Sequence, residues 1–280
     1  MNTIRTNLSS LLAQRVNASQ KAGVAGSLRK LSTGQQINRG GDNPAGLISS
    51  ENLKAVLAAL EAESRVIQRV DSVAAVADGA LAETSDLLIE AKGLAVANAN
   101  GAGLSDGERA ANQLQIDSIF SSVDRISRTT RFNGDPLLDG TASLAAAGQT
   151  LDIDSAATGQ IGGVVVNGNP QTLSDVASGG PLDTATGNVG EAVQAIDAAI
   201  NQVSTLRGKI GAFQKNTIAS SLRSTGVAIE NTAAANSQIR DTDFASETSR
   251  LIRSQILDVS SLTMLGLANR QAADVLTLLG

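Results

Sequence analysis

The chain has 280 residues, a net charge of −5, and no Cys, His, Trp or Tyr. Without Cys there are no disulfides or thiolate metal sites, and without His the commonest general base and metal ligand are missing. With aromatic residues at 1 %, any core must come from Leu, Ile, Val and Ala, which suits thin helical bundles better than a round enzyme.

Residues 2–33 read as an amphipathic helix. Ile4, Leu8, Leu11, Leu12 and Val16 lie on one side, and Ala18, Ala22 and Ala25 continue it with small residues. Gly23 and Gly26 each weaken it by about 1 kcal/mol relative to Ala, so it needs partners to persist. Residues 1–50 carry six basic side chains against Asp42. A membrane-surface helix is one reading of that charge; packing beside acidic partner helices is the preferred one. The stretch Leu28 to Leu47 then stops one helix and starts another. Gly34 suits a left-handed C-cap, and Gly40 and Gly41 loosen the crossing. Asn43 offers an N-cap side chain, and Pro44 takes the first helical position, where its missing N–H costs nothing.

Residues 44–99 form the longest predicted helix. Leu53, Leu60, Ile67, Ala74, Leu81, Leu88 and Ala95 recur every seven residues. Three further on come Val56, Glu63, Val70, Ala77, Thr84 and Ala91, a mixed seam. That period predicts coiled-coil packing with a left-handed supercoil. At ~1.5 Å per residue the helix reaches about 80 Å, so an elongated molecule is expected. Asn100 to Leu104 make a turn, and Ser105-Asp106-Gly107-Glu108 reads as a capping box. The helix it opens runs to about Arg128, with Ile116, Ile119, Val123 and Ile126 on its seam, antiparallel to the one before.

Residues 141–188 change character. They hold eight glycines, Pro170, Pro181 and four Asp, with no Lys or Arg. Leu151-Asp152-Ile153-Asp154 alternates in strand period, and Val164-Val165-Val166 precedes the hairpin signal Asn167-Gly168. A small β-rich insertion is expected. Asn188 with Glu191 then caps a helix over 189–237, whose seam is Val189, Val193, Ile196, Ile200, Val203 and Ile210. The polar stretch from Asn236 to Asp243 is a second joint. Residues 244–278 form the last helix, with two apolar stripes. One holds Leu251, Leu262, Leu265, Leu276 and Leu279, the other Ile252, Ile256 and Val259. Two stripes demand neighbours on two sides, as in a packed tube.

Reactive groupings are sparse. Asp152 and Asp154 lack further ligands for a metal, the glycine-rich stretches lack the Gly-Lys-Ser/Thr of a phosphate loop, and no Ser or Thr has a base beside it. No catalytic residue, metal or cofactor is expected. An acidic chain without an aromatic–basic patch suits neither DNA nor RNA. No run approaches the ~18–20 apolar residues of a membrane span, and the first 30 residues lack the apolar core of a secretory signal, which alone reads as cytoplasmic. Each end carries more apolar surface than a two-helix pair can bury, at ~25 cal/mol for each Å² left in water. Self-association through a head-to-tail, non-closing contact is the remedy, and it generates a helical filament.

The wording Leu31-Ser32-Thr33-Gly34-x-x-Ile37-Asn38-x-x-x-Asp42-Asn43-Pro44-Ala45-Gly46 resembles the N-terminal signature of bacterial flagellins. Further matches follow in order: Phe132-Asn133-Gly134 with Leu137 to Gly140, Ile239 to Ala245, and Met264 to Gln271 through Leu276, Leu278 and Leu279. The resemblance covers roughly residues 1–140 and 189–280. It implies a mainly α fold, a long coiled-coil-like helical rod drawn from both chain ends, with the small insertion as the outer segment. Residues 1–43 and 239–280 would be the inner-tube helices with their joints, 44–140 and 189–238 the two halves of the rod, and 141–188 the outer segment.

The implied function is the structural subunit of the swimming filament, exported to the outside without a cleaved signal peptide. Implied partners are copies of itself, the flagellar export apparatus, a secretion chaperone, and the hook-junction and cap proteins. A hook–filament junction protein is the nearest alternative, a soluble coiled-coil adaptor a further one. Many flagellins are bound by an innate immune receptor through an Arg-x-x-Glu-Leu-Ala-Val motif and an acidic residue on the next helix. Here Glu90 and Gly93 stand at the arginine and glutamate positions, and Gln115 at the acidic one, so weak recognition is expected.

Overall fold

Pro44 opens a helix that runs unbroken to Ala99. The computed structural model describes residues 7–100, 103–166, 168–186 and 188–279, with the side chains of 272–279 outside the description. In chain order the helices are α1 (Leu8–Thr33), α2 (Pro44–Ala99), α3 (Asp106–Thr129), α4 (Val189–Phe213), α5 (Ala219–Arg240) and α6 (Phe244–Leu279). Short strands fall between α3 and α4: β1 (Arg131–Phe132), β2 (Asp135–Pro136), β3 (Ser143–Ala146), β4 (Gln149–Asp152), β5 (Val164–Val166) and β6 (Asn169–Gln171). The fold is mainly α, as the sequence leads one to expect. Two compact units result: residues 1–60 with 228–280, and residues 61–227.

The core of the 61–227 unit follows the heptad logic. From Ile67 onward α2 buries Ala74, Ala77, Leu81, Leu88, Ala91 and Ala95. They share one apolar cluster with Ile116, Ile119, Phe120 and Val123 of α3, and with Ile196, Val203, Leu206 and Ile210 of α4. Ile126 and Ile200 pack at its edge, half-buried. The alanines of the seam let helices approach closely, so little aromatic volume is needed to fill it. Ser105 caps α3 reciprocally with Glu108. Hydrogen bonds from its backbone and hydroxyl hold the Glu108 carboxyl below the usual carboxylate range.

The insertion is stitched to α3 by a polar stripe. Ser127 Oγ donates to the Leu138 carbonyl at 2.8 Å, and Asp124 accepts from the Thr158 N–H and hydroxyl at 2.9 Å. Asp117 accepts from Ser178 N–H at 2.9 Å, and Gln113 donates to the Val176 carbonyl at 2.8 Å. Leu144, Ile153, Ile161, Leu173, Val176 and Leu182 belong to the same apolar cluster as the helices. Among the described residues the strands pair as three two-stranded ribbons. Gly162 lies where a Cβ would come within 2.8 Å of the Ala195 carbonyl, so only glycine lets this loop meet α4.

Two sequence expectations need correction here. The single helix expected over 189–237 is α4 and α5 joined by a π-helical turn, Gln214–Ile218, and it continues to Arg240. The Ala219 N–H reaches back to the Gln214 carbonyl, five residues away. Asn188 does not cap α4 with its side chain. Its Nδ2 donates instead to the Pro181 carbonyl at 2.9 Å, because the preceding turn folds back over it.

Candidate functional site

The 1–60/228–280 unit brings the two ends of the chain together as α1 and α6. Local chemistry sets the limits of both. Asn7 accepts from the Ser10 N–H at 3.0 Å and caps α1, and Gly34 closes it at φ 70°, where a side chain would be strained. Asp243 accepts from the Ala245 and Ser246 N–H groups and caps α6. Asn43 does the same for α2, from Gly46 N–H at 2.9 Å.

Between the helices the two joints pair with each other. Gln36 N–H donates to the Arg240 carbonyl at 2.7 Å, and Thr242 N–H to the Gly34 carbonyl at 2.9 Å. Ile37 is buried beneath them. Asp42 accepts from the Asn38 and Arg39 N–H groups, each at 2.9 Å. Those two bonds hold its carboxyl below the usual range.

The seam between α1 and α6 is not the apolar one. On α1 the series Ser10, Ala13, Asn17, Gln20, Val24 and Ser27 is buried or half-buried. On α6 the series is Glu247, Leu251, Ser254, Asp258, Ser261, Leu265 and Ala268. Both series alternate steps of three and four, the spacing of a coiled-coil seam. Ser27 Oγ meets Glu247 Oε1 at 2.6 Å. Asn17 Nδ2 meets Asp258 Oδ1 at 2.8 Å and Ser261 Oγ at 2.9 Å, and Asn7 Nδ2 meets the Ala268 carbonyl at 2.9 Å. Of this seam the sequence pointed to Leu251 and Leu265 alone; for the polar members the three-four spacing was the available signal.

The apolar residues expected at an assembly interface are exposed around this pair. Leu8 is 76 % exposed, and Leu11, Leu12 and Val16 are also exposed. On α6, Ile252, Ile256 and Val259 are exposed, the last at 66 %. Leu251 and Leu265 are half-buried against α1, but Leu262, expected in the same stripe, is exposed. It sits about 60° round the helix from Leu265, which carries it off the seam. Leu12, Val16, Leu257, Met264 and Leu267 line an open groove of about 580 Å³ along the pair. Ile4, and the side chains of Leu276 and Leu279, lie outside the described residues.

The rod-seam residues divide between the units. Ile67, Leu81, Leu88, Ile116, Ile119, Val123, Ile196, Val203 and Ile210 are buried together, whereas Leu53 and Leu60 are half-buried in the other unit. Glu90, Gly93 and Gln115 are exposed; Ala95 is buried, Leu94 half-buried and Val96 exposed. Among the described residues no group of three or more Asp or Glu could hold a metal, and no helix is long and apolar enough to cross a membrane.

Paired chain ends with apolar faces turned outward define an α-helical protein of the self-assembling structural kind. Residues 4–143 match the bacterial flagellin N-terminal helical region and residues 193–279 the bacterial flagellin C-terminal helical region. The chain is 35 % identical over 288 residues to a flagellar filament 30.7 kDa core protein of Treponema maltophilum, covering 99 % of both. It is 33 % identical over 305 residues to a flagellin of Bacillus subtilis strain 168, covering 99 % of this chain and 98 % of that one. This chain belongs to the bacterial flagellin family. In fold it is similar, at TM-score 0.59 and 16 % identity, to a protein of Vibrio parahaemolyticus described as flagellar hook-associated; the match spans 71 % of this chain and 100 % of that one.

Proposed function

We propose that this chain is the repeating subunit of a flagellar filament and that its work is mechanical, carrying motor torque along a stiff helical propeller. The observation that carries the reading is the outward apolar surface of α1 and α6. Leu8, Leu11, Leu12 and Val16, with Ile252, Ile256, Val259 and Leu262, are the surface that neighbouring copies would cover, at ~25 cal/mol per Å² buried. In this reading α1 and α6 form the inner tube around an export channel, and the α2–α5 helices form the layer outside it. Residues 141–188 face outward.

The filament stands outside the cell, reached without a cleaved signal peptide. Its further partners are the export apparatus, a secretion chaperone, and the hook-junction and cap proteins. Negative-stain microscopy of concentrated purified protein tests the reading. Long filaments are expected; particles that stay small at every concentration would point to a soluble coiled-coil adaptor. Copy number separates the subunit from a hook–filament junction protein, which is a trace component of purified filaments.

A further inference from the structure

The α1–α6 seam is unusual in what it buries. The described residues nine-tenths or more buried along it are Ser10, Asn17 and Ser27 on one helix and Glu247, Ser261 and Ala268 on the other. Polar residues this deep are poor sources of stability, because each must be stripped of water before it finds a partner. Where a buried asparagine recurs in coiled coils, its best-attested work is to fix register.

We infer that Asn17, with Asp258 and Ser261, sets the register of α1 on α6. Asn17 is 8 % exposed and Ser261 5 %. Asn17 Nδ2 donates to Asp258 Oδ1 and Ser261 Oγ, and Ser261 Oγ in turn donates to the Asp258 carbonyl at 2.8 Å. The side-chain donors of the set, the Asn17 amide and the Ser261 hydroxyl, find acceptors within it. Sliding α1 by one heptad destroys it in either direction. Seven residues from Asp258 stand Leu251 and Leu265, and seven from Ser261 stand Ser254 and Ala268, so the amide loses its carboxylate acceptor in both directions and its hydroxyl acceptor as well in one. A leucine at position 17 would feel almost no penalty from the same slip, since it would meet Leu251 or Leu265.

The paired joints oppose a slip only at their own end of the helices. Asn17 lies seventeen residues before Gly34, about 25 Å along the helix, and holds the half nearer the termini. This inference deepens the filament reading. A fixed register sets which of the outward apolar side chains stand level on the two helices, and every copy must present the same surface for a filament to repeat.

The chain has no Cys, so introduced pairs report register without background. A Cβ at Gly23 would stand 3.9 Å from Ser254 Cβ, within disulfide range. Gly23→Cys with Ser254→Cys therefore reports the native register, and Val16→Cys or Lys30→Cys with Ser254→Cys reports a slip of one heptad either way. Each pair is read as intramolecular closure on non-reducing gels, in filaments and in monomer.

In the parent seam the native pair should close and the slipped pairs stay open. In Asn17→Leu/Ser261→Leu, closure of a slipped pair should rise about tenfold while the melting temperature holds or rises. The exchange Asn17→Ser/Ser261→Asn keeps donors and acceptors and should restore the parent pattern. A leucine variant with the parent pattern overturns the inference, whether it is read in filaments or, if none form, in monomer. So does a native pair that stays open in the parent. A parent whose native pair closes but which never polymerises would overturn the filament reading alone.

Discussion

Arg240, the last residue of α5, reaches Glu51 in the second turn of α2, with Nη1 2.7 Å from Oε1. That hydrogen bond is the main reason the Glu51 carboxyl is held below its usual range. Asp42, a few residues earlier, is held down by the two backbone N–H groups it accepts. Both groups are bound more strongly as carboxylates in the folded joint than in the unfolded chain. Their stabilising effect is present above the unfolded carboxylate value, near 4, and is lost as the pH falls through the lower folded value. Hydrogen exchange at the Asn38 and Arg39 amides should be flat from about pH 5 to 8 and should quicken below about pH 4 relative to intrinsic rates. Asp42→Ala should remove most of that acid step. Protection unchanged down to pH 2 would show that the joint does not depend on it.

Leu265 lies half-buried on the α1 seam. Leu265→Asp puts a carboxylate there without a cation to meet it, a cost of several kcal/mol if the site stays dry. The expected outcome is exported or soluble protein that does not pellet as filaments. Sedimentation beside the parent decides it, and normal filament yield would mean that water reaches this position.

Ala147 sits at φ 52°, a left-handed conformation that costs a β-carbon residue about 1–2 kcal/mol. It is the first turn residue of the β3–β4 hairpin, followed by Gly148. Ala147→Asn creates the Asn-Gly pair that such turns favour and should raise the melting temperature of the 61–227 unit by a few degrees. A lower melting temperature would mean that the turn relaxes in solution.

Glu90 and Gly93 are exposed on α2 and Gln115 on α3. If the immune receptor reads those positions, a reversed charge at Glu90 costs several kcal/mol of binding. Purified monomer should therefore signal weakly in reporter cells beside a flagellin with the full motif. Equal potency would refute the expectation, and Glu90→Arg/Gly93→Glu should raise signalling if it is right.

The α1–α6 pair buries a largely polar seam and exposes most of its described leucines, so on its own it has little to hold it together. Helicity should rise when monomer polymerises, as residues 8–33 and 244–279 gain cover. Circular dichroism before and after assembly measures it. Equal helicity in both states would show that the pair sustains itself.

Helix limits were legible because single residues set them: Gly34, Asn43, Pro44 and Ser105 act locally. The α2 seam from Ile67 to Ala95 was legible because strict period-seven apolarity admits few alternatives. The α1–α6 seam was not. Leu8, Leu12 and Val16 advertise a face, and hydropathy points to it, but a folded chain can leave that face for another copy. Asn17 and Ser261 carry no apolar signal, and only their partners reveal their placement. Asn188 has the side chain of an N-cap, yet Pro181 offers a carbonyl that the helix could not compete with, a contact made only once the preceding turn has folded.

On α4 the buried positions other than Ala195 step by seven along two tracks, Ala192, Ala199, Leu206 and Phe213 on one and Ile196, Val203 and Ile210 on the other. The second track resumes at Ile218 and Thr225, one residue later than a seven-beat would allow. The π-helical turn swallows that spare residue and keeps the inward face continuous. The chain therefore counts differently on either side of it. Removing the exposed Asn216 should close the turn into plain α-helix with both tracks in step, and the protein should still fold. Removing Gly208 should throw Ile210 and Phe213 outward. A chimera built by matching heptads gaplessly across this point would graft every residue of α5 one place out.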